Sequence, residues 1–433
     1  MRLLGAGFGA AIVVGATVGA GILRTPGEVA GHLQSPLLVV LAWTLGGIYA
    51  LLGALTVAEL GIALPLAGGF TVYVRRAFGE RAGFAIGACD WLGQTSAAAF
   101  SALTLADTAA QLWPGVAPAR SSVAAAVVLL IGMLQWRSVR VGARTQELTS
   151  AAKAVAFLAL IAACLLWRGD GAESVAQLPR STMPALAAWI LSAQAIFYTY
   201  DGWYSAIYFT EEDVAPSRNL LPGLLAGTAI VALIYVLMNV ALLAVLPLAE
   251  MASHPIPAAA AATRVLGPSG QFWLAALVLV SALPNASASI LMATRIPYAL
   301  GRQGALHGSL IHVGAGGTPR VALAATLGLT LLLVLTSTAA GLLAIAGFFY
   351  VLNYVSAYAC LWRLRQTEPD LPRPYRAWGY PWVTGLLLAA SLAFLIGAIV
   401  ADPRNSAFAI LLLLLCAAVR RSSGVSTERD REL

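Results

Sequence analysis

The sequence predicts an all-α polytopic membrane protein with 12 transmembrane helices. Three observations predict it. The 433 residues are 60% hydrophobic and only 10% charged, whereas a soluble globular chain is nearer a quarter charged. Twelve apolar runs each approach the roughly 20 residues that a hydrocarbon core demands. The arginines also alternate from loop to loop, as they do in proteins oriented across a membrane.

In chain order the runs are 3–32 and 36–64, followed by Arg75, Arg76 and Arg81; then 83–113 and 121–137, followed by Arg137, Arg140 and Arg144. Next come 147–168 and 184–212, followed by Arg218; then 219–246 and 269–302, followed by Arg302 and Arg320. The last are 320–338 and 341–364, followed by Arg363, Arg365, Arg373 and Arg376; then 381–401 and 405–420, followed by Arg420, Arg421, Arg429 and Arg431. The opposite loops hold only Arg120, Arg168, Arg180, Arg264 and Arg404. Basic loops face the cytoplasm, so both termini are expected there. The polar tail 421–433 is expected to be disordered.

Met1 leads almost directly into a run too long for a cleavable signal. The isoelectric point near 9.4 follows from the basic loops and needs no nucleic acid. Cys89, Cys164, Cys360 and Cys416 all fall in apolar segments, and their spacing suggests neither a disulfide framework nor a metal site.

Two runs are interrupted. In "GATVGAGILRTPG", Gly19 and Gly21 flank Ala20 inside the first run, and Pro26 follows. Glycine and proline are the residues least suited to a helix interior, and lipid cannot satisfy a broken backbone. In the sixth run, "YTYDGW" puts Asp201 and Gly202 at membrane depth. The breaks lie five spans apart, so two five-helix halves would have opposite topology. Residues 1–168 would form the first half and 184–364 the second, with 381–420 outside both. Paired breaks of this kind point to the binding site of a secondary transporter.

At the first break, Gly15 and Gly19 also fit a small-residue helix-packing face. The functional reading is an unwound linker whose free N–H groups, at the positive start of the next half-helix, bind a carboxylate. At the second break, Asp201 is an ionisable residue in the membrane and a functional candidate by default; it could equally cap a helix end. Tyr198, Tyr200 and Trp203 could pack, or could close over a substrate side chain. Lys153, the single lysine, stands in the fifth run. It either snorkels to the interface or docks on carbonyls freed by the first break, in the place of a coupling cation. Asp90 is expected near the cytoplasmic end, and Asp90 and Asp107 are expected to cap or pack. Asn285, Ser289 and Asn353 line the pathway or bond between helices.

Five stretches in order, "GATVGAGILRTPG", "AELGIALPLAGGFTVYVRRAFG", "FYTYDGWYSAIYFTEEDVAPSRNLLPGLLAG", "MATRIPYALGRQG" and "LPRPYRAWGYP", together resemble the amino acid–polyamine–organocation superfamily. The resemblance is greatest to its L-type amino acid transporter branch and bacterial relatives. It implies a LeuT-type five-plus-five inverted repeat in a bacterial cell membrane, carrying free amino acids by alternating access. By resemblance Gly19, Ala20 and Gly21 take the place of a Gly-Ser-Gly that binds the α-carboxylate, with Ala20 lacking the hydroxyl. Carbonyls of Thr17, Tyr198 and Asp201 would take the α-amine. Tyr198 would be the aromatic gate, and Lys153 matches the family's lysine in span five. The loop "LWPGVAPARSS" lacks the cysteine that joins animal members to a heavy chain, so no disulfide-linked partner is expected.

The site residues expected are therefore Thr17, Gly19, Ala20, Gly21, Tyr198, Asp201, Gly202 and Asn353 for substrate, with Lys153, Tyr198 and Trp203 for coupling or gating. No cofactor or metal is expected. The expected function is an amino acid exchanger or proton-coupled symporter, for small neutral substrates. A polyamine or cationic amino acid permease and a non-transporting sensor are the alternatives. Long soluble extensions would favour a sensor, and the sequence holds none. A membrane enzyme finds no paired carboxylates, HExxH run or nucleophile elbow to support it.

Overall fold

A computed structural model of the chain describes residues 2–169, 183–401 and 403–422. Arg180, Arg429, Arg431 and the tail beyond residue 422 lie outside the described residues. The described residues are helical, without a named strand; two isolated β-bridges join Leu4 to Asp213 and Val313 to Pro319.

The helices in order are α1 (Ala6–Thr17), α2 (Gly21–Leu33), α3 (Pro36–Ala63), α4 (Phe70–Phe78), α5 (Glu80–Leu112), α6 (Arg120–Arg137), α7 (Val139–Leu166) and α8 (Ala185–Thr199). They continue with α9 (Pro216–Val245), α10 (Leu248–Ser253), α11 (Pro257–Leu266), α12 (Gly270–Arg302), α13 (Arg320–Thr336), α14 (Ala339–Thr367), α15 (Trp382–Ala401) and α16 (Pro403–Ser422). Each apolar run overlaps at least one of these helices. Among the described residues, six helical stretches are long and apolar enough to cross a bilayer, and α1 with α2 makes a seventh, bent by 55°.

α5 is long enough to span a bilayer but carries polar side chains along its length. Asp90, Gln94, Thr95 and Ser96 lie along it, and all four are buried inside the protein. α12 lies along α5, α3 and α1 pack on α9, and α1 also leans on α7. Large aromatic side chains fill the space between them: Trp43, Trp203, Tyr73, Tyr200, Tyr204, Tyr208, Tyr235 and Tyr358 are all fully buried.

Two boundaries differ from the sequence expectation in ways that matter. α7 begins at Val139, well before the apolar run at 147, because Ser138 caps it by accepting from the Val141 N–H at 3.1 Å. Lys153 is therefore the fifteenth residue of the helix, not a turn or two from its start. The sixth run does not resume as an α-helix after its break. α8 stops at Thr199, turns occupy 200–204, and a 3-10 turn covers Ser205–Phe209.

Ion pairs tie the loops together at one end of the bundle. Arg76 pairs with Glu368 at 2.9 Å, Arg302 with Glu211 at 2.6 Å and Arg295 with Glu212 at 2.8 Å. Glu59 takes both Arg365 and Arg373, at 2.5 and 3.2 Å. Apart from Arg295, which lies within α12, the arginines of these pairs stand in the arginine-rich stretches read from the sequence. At the other end, Arg264 meets Glu250 at 2.8 Å and Arg120 pairs with Asp107.

Candidate functional site

The first break leaves the last carbonyls of α1 without helical donors. After Thr17 the chain becomes extended at Val18, with φ −70° and ψ 110°. Side chains from three other helices supply the missing donors. From α7, the Lys153 ammonium donates to Gly15 O at 2.8 Å and Val18 O at 2.5 Å. From α12, Ser281 donates to Val18 O at 3.3 Å. From α9, the Tyr235 hydroxyl donates to Thr17 O at 2.8 Å.

Lys153 has a third acceptor, Asn285 Oδ1 at 2.7 Å. An ammonium has three donors, so three oxygens account for it. Lys153 is 0% exposed, which removes the snorkelling alternative. The reason is its depth in α7.

The second break is satisfied mainly by its own neighbours. Asp201 N–H donates to Tyr198 O at 3.3 Å, and Ser205 Oγ donates to Gly202 O at 2.5 Å. The Tyr354 hydroxyl of α14 donates to Asp201 Oδ1. One contact comes from afar: the Tyr235 hydroxyl also lies 3.0 Å from Thr199 O. A single phenolic proton is thus shared between carbonyls of both breaks.

The breaks touch each other. Gly202 has φ +110°, and a Cβ there would lie 2.7 Å from Thr17 Oγ1 and 3.0 Å from Thr17 N. Any other residue would be strained by its backbone and blocked by the first break.

Both breaks open on one cavity of about 800 Å³. Thr17, Gly19, Ala20 and Gly21 line it from the first break, and Tyr198, Asp201 and Gly202 from the second. The Tyr198 ring sits over Gly347 of α14, where a Cβ would lie 3.0 Å away. Asn285 and Ser289 of α12 and Gln94 of α5 add polar groups. The cavity runs along α2 past Arg24, Thr25 and Glu28 to residues 252–255. It therefore extends away from the end that carries the Glu211, Glu212 and Glu59 ion pairs.

Three expected site residues do not reach the cavity wall. Lys153 stands behind the first break. Trp203 is 1% exposed and packs on Tyr204 and Tyr354, with ring centroids 5.4 and 5.3 Å away, so it is no lid. Asn353 is buried too, donating to Asp90 Oδ1 at 2.9 Å.

Asp90 packs, one of the two roles expected of it, but deeper than the cytoplasmic end. α5 starts ten residues before it, and the carboxylate is fully buried, so it caps nothing near a membrane face. It accepts from Tyr208 at 2.6 Å as well as from Asn353, with Gln94 Nε2 at 3.5 Å. It thereby joins α5, the 3-10 turn after the second break, and α14. Asp107 does pack, through its pair with Arg120.

Tyr235 was not singled out from the sequence. Its one signal was a hydroxyl in the middle of the apolar run 219–246. Among the described residues, no cluster of three or more His, Cys, Asp or Glu is placed to hold a metal ion.

Residues 9–419 match the amino acid permease family. The chain is 28% identical over 414 residues to the serine/threonine exchanger SteT of Bacillus subtilis, covering 94% of this chain and 93% of the exchanger. It is 30% identical over 380 residues to the large neutral amino acids transporter small subunit 2 of Oryctolagus cuniculus, covering 84% and 70%. It is 28% identical over 407 residues to the b(0,+)-type amino acid transporter 1 of Mus musculus, covering 91% and 82%.

Proposed function

The chain belongs to the amino acid permease family, and from that premise we propose that it exchanges small neutral α-amino acids by alternating access, binding them between its two backbone breaks. The observation that carries the proposal is the contact of the breaks across one cavity. N–H groups at the start of α2 would face the substrate carboxylate. Carbonyls of Tyr198 and Asp201 would face its ammonium, and Thr17 O keeps a lone pair beside its Tyr235 bond. The α-amino acid is the ligand class that carries both charges on one carbon.

The proposal includes 12 spans in a LeuT-type arrangement. Residues 1–168 and 184–364 form the inverted repeats, 381–420 lie outside them, and 421–433 form the cytoplasmic tail. The positive-inside rule supports cytoplasmic termini in a bacterial cell membrane. On that orientation the ion-paired end is cytoplasmic and the cavity faces outward. Exchange and small substrates are favoured by the likeness to a serine/threonine exchanger. Tyr198, closing one side of the cavity, would narrow the side-chain pocket.

Counterflow tests the proposal. Purified protein in liposomes preloaded with mixed amino acids should take up labelled alanine or serine. Uptake should need internal amino acid and ignore an imposed pH gradient. Stimulation by an inward proton gradient from empty liposomes would make it a symporter. Uptake confined to arginine, lysine or polyamines would replace the substrate class.

A further inference from the structure

By resemblance, Ala20 removes a hydroxyl expected beside the substrate carboxylate, and another polar side chain lines the same cavity. Asn285 of α12 lines the cavity together with Gly19. Its Oδ1 is held by the Lys153 ammonium at 2.7 Å. Lysine donates and never accepts, so the amide must turn its oxygen to Lys153 and its Nδ2 the other way. That nitrogen points at the first break. A Cβ built on Gly19 would lie 2.7 Å from it. Among the described residues no acceptor is paired with Nδ2.

Gly19 is therefore needed for a reason beyond backbone freedom. Its missing side chain is the space that the Asn285 amide occupies. The buried side of that amide is fixed by Lys153, which is itself fixed by the carbonyls of Gly15 and Val18 at the first break. The open side presents two N–H donors over Gly19, at the edge of the N–H groups that open α2.

We propose that Asn285 is a substrate-binding residue: oriented by Lys153, its Nδ2 donates to the α-carboxylate and replaces the hydroxyl that Ala20 lacks. This rests on the amino acid reading above. Lys153 is then a positioning residue, acting on substrate through the amide it orients.

The test measures the KM of labelled alanine exchange, together with competition by the free acid and by its carboxamide, in liposomes. In Asn285→Ala, KM for the free acid should rise about ten-fold, the order of a lost hydrogen bond to a charged group. The maximal rate should change little. Adding Ala20→Ser should recover most of that affinity, because the new hydroxyl returns a donor to the wall of the same cavity. Asn285→Asp is isosteric and still accepts from Lys153, which keeps the fold in place. It should lose affinity for the free acid about a hundred-fold, while its preference for free acid over carboxamide reverses. An unchanged preference in Asn285→Asp would overturn the assignment, as would Asn285→Ala with normal KM. Equal loss for acid and carboxamide, unrepaired by Ala20→Ser, would reduce Asn285 to packing. Wild type that exchanges no free amino acid would instead sink the broader reading.

Discussion

The two backbone breaks solve one physical problem in different ways. Each frees polar groups at a depth where lipid offers no partner. The first is built of small residues and is repaired from outside. Lys153 of α7, Tyr235 of α9 and Ser281 of α12 each reach its carbonyls. The chain then resumes as a regular helix, bent by 55°. The second is built of aromatic and polar residues and is repaired largely from within, by Asp201 and Ser205. It continues as turns rather than as an α-helix. A break repaired by three helices is sensitive to their relative positions, whereas one repaired locally can move as a unit.

That contrast ranks the substitutions. The largest effect is expected at the first break from Gly21→Val. A Cβ at Gly21 would lie 3.2 Å from Thr199 Cγ2, so the branched side chain would press on the end of α8 as well as on the site. Exchange should fall below detection while the protein still inserts and purifies. Near-normal substrate affinity in this variant would make the glycines packing residues.

Lys153→Ala comes next, with exchange reduced about a hundred-fold. Gly15 O, Val18 O and Asn285 Oδ1 lose a donor in a dry interior. Each unsatisfied group costs on the order of 1–3 kcal/mol. Transport should suffer more than thermal stability does, because the lost contacts join α7 to the broken span. Normal exchange rates would dissolve the proposed link between spans one and five.

Tyr235→Phe should cost less, about 3- to 10-fold in exchange rate, since a net hydrogen bond is worth roughly 0.5–1.5 kcal/mol. It touches both breaks at once through Thr17 O and Thr199 O. Combining it with Lys153→Ala sharpens the comparison. The Tyr235→Phe penalty should shrink in that background if both groups hold the first break in one arrangement. Fully additive losses would show that they act separately.

Asp201→Asn should have the smallest effect on neutral substrates, within about two-fold, because an amide oxygen still accepts from Tyr354. Competition by lysine, arginine or polyamines separates its two roles. Selective loss of cationic competitors would mark direct recognition by the carboxylate. Uniform behaviour, with no cationic substrate at all, would leave Asp201 holding the turn.

The breaks were legible in the sequence because they violate composition rules. Gly19, Gly21 and Asp201 stand out against an apolar background. The arginine-rich loops were legible for the same reason. What was hidden is who repairs the damage. Tyr235 looks like any tyrosine in an apolar run, and its role exists only where α9 crosses both breaks. The depth of Asp90 is hidden because α5 starts at Glu80, before the apolar run at 83, and is buried on several sides. Burial replaces lipid exposure there, and hydropathy cannot tell the two apart. Trp203 is expected to close over the substrate as an aromatic of the second break, and Asn353 to line the pathway as a polar residue inside span ten. The turn after Gly202 and the packing of α14 direct both elsewhere.

On the proposed function, both charges of a free α-amino acid are read by the two breaks together. Counterflow competition measures this directly. Alanine methyl ester removes the carboxylate and N-acetylalanine removes the ammonium, and neither changes the side chain. Neither analogue should compete measurably with labelled alanine at concentrations where unlabelled alanine abolishes uptake. Competition by either one as strong as alanine's own would contradict the claim.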